Sequence, residues 1–165
     1  MALTGLVRSH KGTLDKFIGD SLMAFWNAPL TKEERHIMQR HSFLGAEIFT
    51  NISWIVDAMA RIIALHHHQK WDGSGYTGDS GTPLLHGKNI PLEARITAVA
   101  DVYDALRSQR CYKTPMPIEQ ALEIMREDSG KYFDPDVIDI FMKHIDVMEA
   151  IRGRYQEEEF ICPLP

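Results

Sequence analysis

The chain has 165 residues, room for one domain with a short appendage, and its 44% apolar content supplies a core, which excludes wholesale disorder. Lys and Arg number 18 against 23 Asp and Glu, and the net charge of −5 excludes the broad basic field of a DNA- or RNA-binding protein. Cys111 and Cys162 are too few for a disulfide framework, and no apolar run reaches the roughly 18 residues of a membrane span. The first dozen or so residues hold no long apolar stretch, which reads as no signal peptide. The expectation is a cytoplasmic domain without membrane contact.

Residues 1–30 differ in character from the rest. Thr13 to Ile18 and Ser21 to Trp26 are apolar-rich runs flanking Gly19-Asp20, a pattern that predicts a β-hairpin with a type II′ turn. From Thr31 the period becomes helical. Thr31 and Glu34 match a capping box, and Ile37, His41, Leu44, Gly45 and Ile48 share one face of a single helix. A second helix carries Ile52, Ile55, Val56, Met59, Ile62 and Ile63 and ends near His66-His67-His68. Glycines 73, 75, 78, 81 and 87 mark a loop. Pro91 opens a third helix running to about Ser108, and Pro117 a fourth with Ile118, Ala121, Leu122 and Met125 on one face. Asp134-Pro135 reads as cap and first residue of a fifth, burying Val137, Ile138, Phe141 and Ile145. Residues 151–165 read as a polar tail.

The chain carries 8 histidines, and their placement is the informative feature. His67 and His68 are adjacent, and two imidazoles are buried cheaply only where each finds a partner, which a divalent metal supplies. His41 sits among apolar neighbours, and Asp101 shares a helix face with Ala94, Ala98 and Ala105, small residues that predict a desolvated carboxylate. Each has a plainer reading: a hydrogen-bonded core histidine for His41, a salt bridge for Asp101, a solvated helix end for the histidine run. Together they form a nitrogen and oxygen donor set suited to Fe, Mn, Zn or Ni without selecting among them. Arg110 and Lys113 offer a planar fork and a point charge for phosphate, or form a solvated basic turn. Gly75 and its neighbours allow close backbone approach to a ligand.

The run from His67 through Trp71-Asp72-Gly73-Ser74-Gly75-Tyr76 resembles the signature of the HD-GYP family, bacterial metal-dependent phosphodiesterases of cyclic di-GMP. The likeness continues through Ile90–Ile96, Ala100–Leu106, Arg110–Lys113 and Ser129–Pro135, and upstream through Glu34–Gly45. It departs in three places: no His-Asp pair lies upstream of His41, Gln69 stands where the family has Glu, and Thr77 where it has Pro. Gly12 to Pro29 resembles the central hairpin of class III adenylate and guanylate cyclases, with Asp20 at a metal-binding position and the rest of that domain missing.

The resemblance implies a mainly α fold, an HD-domain-like bundle of about five helices with an N-terminal β-hairpin. Residues 1–30 would be the cyclase-like fragment, 31–150 a partial HD-GYP-like domain and 151–165 the tail. It implies His41, His67, His68 and Asp101 as ligands of a divalent transition metal, and Arg110, Lys113, Tyr76 and Gly75 as contacts of a cyclic dinucleotide. Asp104 would cap or orient rather than ligate. The expected function is hydrolysis of cyclic di-GMP in signal transduction, impaired by the missing pair, with a homodimer or further signalling domains as partners. The alternatives are a non-catalytic module that binds metal or nucleotide and, with least support, a nucleotide cyclase.

Overall fold

The computed structural model describes residues 12–18, 21–26, 31–49, 54–78, 81–108 and 114–155, the first two stretches as backbone alone. Strands β1 (Gly12–Ile18) and β2 (Ser21–Trp26) pair antiparallel, with Gly12 opposite Trp26, Ile18 opposite Ser21 and a register shift between Leu14 and Lys16. Gly19 and Asp20 lie outside the described residues, so neither the expected turn nor the cyclase likeness gains support from this pairing.

Thr31 starts the helical part by the reciprocal bonding its sequence predicts. Its hydroxyl accepts from the Glu34 N–H at 3.2 Å, and the Glu34 carboxylate accepts from the Thr31 N–H at 2.9 Å. Helix α1 (Lys32–Gln39) then gives way to α2 (His41–Ile48). The single helix expected here is interrupted at Arg40, whose N–H bonds the Ile37 carbonyl at 3.2 Å, three residues back instead of four.

The expected apolar face of this segment is not the buried one. Ile37, Leu44 and Ile48 are 66%, 50% and 78% exposed, while Ser42 and Ala46 are the buried residues of α2. Small side chains decide the matter: a Cβ on Gly45 would lie 3.6 Å from the Ala64 methyl, so α2 and α3 (Ile55–His66) approach through their smallest residues. On α3 the same correction applies, because Ile55, Val56 and Met59 are exposed and only Ile62 and Ile63 turn partly inward. Ile52 lies outside the described residues.

Beyond the glycine loop and a short 3-10 turn (Gly87–Asn89), α4 (Leu92–Arg107) and α5 (Ile118–Glu127) begin one residue after Pro91 and Pro117. Asp134 caps α6 (Pro135–Lys143), accepting from the Asp136 N–H at 2.9 Å. The fifth helix expected from the sequence is interrupted at His144, and α7 (Ile145–Arg154) follows. These two interruptions are why the bundle has more helical segments than the five or so anticipated.

The core joins α4, α5 and α6 through Val99, Tyr103, Met125, Phe133, Ile138 and Phe141. Ala121 and Met125 are both 0% exposed, as the α5 stripe predicts; truncating a buried methionine to alanine costs about 2–5 kcal/mol. Two polar ties brace this core. Arg95 on α4 ion-pairs with buried Asp134, and Glu149 on α7 accepts from Tyr103 and, at 2.7 Å, from Arg107. No helix among the described residues is long and apolar enough to cross a membrane.

Candidate metal centre

His41 is the first residue of α2, and His67 and His68 directly follow the last residue of α3. The packing of α2 on α3 therefore brings three imidazoles to one end of the helix pair, with one ligand atom from each within 4.8 Å of the others. The His67 and His68 ring centroids are 4.0 Å apart, and His41 lies 5.0 Å from His68 and 5.6 Å from His67.

Backbone carbonyls decide which ring nitrogens are free. His41 Nδ1 lies 2.7 Å from the Met38 carbonyl, and His67 Nδ1 lies 2.9 Å from those of both Ile63 and Ala64. A carbonyl only accepts, so each Nδ1 carries the proton and each Nε2 presents a lone pair. This is the outer contact by which a protein orients metal-ligating histidines. His68 Nε2 then stands 3.1 Å from His41 Nε2. Two ligands at right angles on one cation at about 2.0–2.1 Å would lie about 3.0 Å apart, so the donor set fits a divalent transition metal.

Burial pushes the His68 imidazole down to about 3, and the neighbouring His67 and His41 push it further in the same direction. His67 is likewise lowered, by burial first, against the opposing pull of the Ile63 carbonyl. Both rings are thus held neutral, the form that binds metal.

The glycine loop locks this end together. A Cβ on Gly75 would lie 2.3 Å from the His68 carbonyl oxygen, so the loop backbone rests directly on the histidine turn. The Tyr76 N–H donates to that carbonyl at 3.2 Å, and the Tyr76 ring lies 4.8 Å from the His68 ring. Burial pushes the Tyr76 hydroxyl up to about 12, with Tyr132 and Asp101 adding to the shift. Tyr132, which the sequence offers only as part of the Ser129–Pro135 likeness and not as a site residue, therefore belongs to this neighbourhood, and Lys70 Nζ stands 5.0 Å from its ring centre.

Asp101 differs from expectation. It is exposed, whereas Ala94 and Ala98 of the same helix are buried at 1% and 4%. Its carboxylate is outside the imidazole cluster, yet its charge acts on His67, Tyr76 and Tyr132. No neighbouring helix covers it, so the expected burial of the carboxylate does not occur. Asp104 accepts from the Ser108 hydroxyl at 2.7 Å, a capping contact at the end of α4. Arg110 and Lys113 lie outside the described residues. The histidine run is no solvated helix end, since all three rings are partly buried. Gln69, 3% exposed, was legible only as a departure from a motif.

The family profile described as HD domain matches residues 19–137. The chain belongs to the HD domain family. Its HD-GYP-like motifs are consistent with that membership, and the matched span begins inside the segment read as cyclase-like. The chain is 42% identical over 137 residues to the probable cyclic di-GMP phosphodiesterase of Vibrio cholerae, covering 79% of this chain and 30% of that protein. It is 41% identical over 124 residues to the 3′3′-cGAMP-specific phosphodiesterase 2 of the same species, covering 75% and 23%. The cyclic di-GMP phosphodiesterase response regulator RpfG of Xanthomonas campestris is 39% identical over 126 residues, covering 76% and 32%. The chain thus spans roughly a quarter to a third of the length of these relatives.

Proposed function

We propose that the chain is a metal-dependent phosphohydrolase domain of the HD-GYP type acting on cyclic di-GMP, with turnover impaired by the missing His-Asp pair. The observation that carries this reading is the 3.1 Å approach of the His41 and His68 Nε2 atoms, with the Nδ1 atoms of His41 and His67 engaged by backbone carbonyls. His41, His67 and His68 would hold a divalent metal, with Asp101 completing the set from the exposed side. Such a metal, when bound, supplies Lewis-acid stabilisation of charge on phosphate oxygens. Arg110 and Lys113 would bind the substrate phosphates, and Tyr76 and Gly75, which pack against His68, would contact the cyclic dinucleotide. The names of the relatives support a cyclic dinucleotide as substrate. A cytoplasmic signalling role, as a homodimer or joined to further domains, belongs to the same proposal.

A non-catalytic module is the second reading, favoured by one observation: among the described residues the cluster holds three imidazoles and no carboxylate. Metal analysis of the full chain, coupled to turnover assays with cyclic di-GMP and 3′3′-cGAMP, separates the two. Bound metal lost in His67→Ala, with slow hydrolysis abolished in His68→Ala, is the expected result. Metal and nucleotide binding without hydrolysis would establish the module instead, and hydrolysis at rates typical of enzymes would show that the missing pair is dispensable.

A further inference from the structure

One side chain closes the turn that carries the paired histidines. The Gln69 N–H donates to the His66 carbonyl at 3.0 Å, which makes His67 and His68 the two central residues of a four-residue turn. His67 has φ −65° and ψ −17°, the values of a type I turn. The Gln69 amide then reaches to both sides. Its Oε1 accepts from the Leu85 N–H at 2.7 Å, and its Nε2 lies 2.7 Å from His66 Nδ1.

Donor chemistry leaves one assignment of this network. The Leu85 amide only donates, so the Gln69 oxygen faces it. The Gln69 nitrogen also only donates, so His66 Nδ1 holds a lone pair and the His66 proton sits on Nε2. His66 therefore has the opposite tautomer to His41 and His67, and its ring is engaged with Gln69.

We propose that Gln69 is a positioning residue of the metal centre, holding the His67–His68 turn in the shape that brings both rings to His41. The inference deepens the proposed metal-binding reading and rests on it. A continued helix would carry successive side chains about 100° apart around its axis, whereas the turn closed at Gln69 holds the His67 and His68 ring centroids 4.0 Å apart. Gln69 opposes that continuation through its backbone bond to His66 and through its side chain, which is tied to Leu85 across the glycine loop on one side and to the His66 ring on the other. A carboxylate at this position only accepts, so it keeps the Leu85 bond and requires His66 to move its proton to Nδ1.

The test is Zn²⁺ titration of the full chain, with the visible spectrum of bound Co²⁺ as a report on ligand geometry. Gln69→Ala is expected to weaken Zn²⁺ binding about tenfold or more, as loss of outer-shell partners does, and to alter the Co²⁺ spectrum. Gln69→Glu is expected to restore both, with the His66 proton shifted to Nδ1 by ¹⁵N NMR. If Gln69→Ala does not fold, His66→Ala carries the test, since it removes the acceptor and leaves the Leu85 bond; a smaller loss in the same direction is expected. Wild-type affinity in a folded Gln69→Ala or His66→Ala chain, with binding abolished by His67→Ala, overturns this inference alone. A wild-type chain that takes up neither metal overturns it together with the metal-centre reading.

Discussion

Gly78 rests on the carbonyl of Gln39. A methyl group on its α-carbon would lie 2.1 Å from that oxygen and 2.8 Å from the Arg40 α-carbon, and its φ of +76° is one that other residues rarely adopt. The contact falls at the interruption between α1 and α2, one residue before His41. The glycine loop thus touches the histidine turn through Gly75 and the root of His41 through Gly78, and it sets the distance between them.

Gly78→Ala should therefore strain the backbone and push Gln39 away, at a cost of about 2 kcal/mol or more. Zn²⁺ affinity should fall with stability, because His41 moves with Arg40. Urea unfolding and metal titration of the same variant check both; unchanged values would show that the loop yields without disturbing α2.

Arg95 and Asp134 form an ion pair with side chains only 14% and 1% exposed. Arg95 also donates to the Ile90 carbonyl at 2.8 Å, and Asp134 caps α6. Asp134→Ala removes the cap and leaves a buried guanidinium unpaired, an expected loss of about 3–5 kcal/mol. Adding Arg95→Leu should recover part of it, and simple additivity in a double-mutant cycle would contradict direct coupling.

Burial pushes the Glu149 carboxyl up, but bonds from Arg152, Arg107 and Tyr103 outweigh it and hold the group down to about 2. A depressed carboxyl stabilises the fold above its unfolded value near 4.5, and that contribution is lost as pH falls toward 2. Glu149→Gln should lower stability at pH 7 by about 2 kcal/mol and flatten the acid limb of the stability curve. Denaturant titrations across pH 2 to 7 would read both effects, and an acid limb of unchanged slope would count against the network.

The His68 imidazole, lowered to about 3, gives the metal-free protein a second acid sensitivity. A base held below its usual 6.5 favours the fold while neutral, so its contribution is complete above 6.5 and declines as pH falls below it toward 3. In chelator-treated protein, His68→Asn should reduce the loss of stability between pH 6.5 and 4. A variant that loses stability over that range as the wild type does would place the strain elsewhere.

Helix starts were legible because a capping signal is local. Thr31 with Glu34, Pro91, Pro117 and Asp134-Pro135 each satisfy or excuse backbone N–H groups within a few residues, whatever packs above them. The pair His67-His68 was legible as chemistry for a similar reason, since adjacent imidazoles demand a shared partner. What only the tertiary structure decided is which faces are covered and which rings meet. Ile37, Leu44 and Ile48 have a perfectly helical period and remain exposed, because close approach of α2 to α3 runs through Gly45 and Ala64. Asp101 shares a stripe with Ala94 and Ala98 yet faces outward. Periodicity reports the angle around one helix and carries no information about where a second helix lies. Tyr103 and Glu149, 46 residues apart, meet for the same reason that His41 and His68 do, 27 apart: helix packing, not sequence spacing, sets the distance.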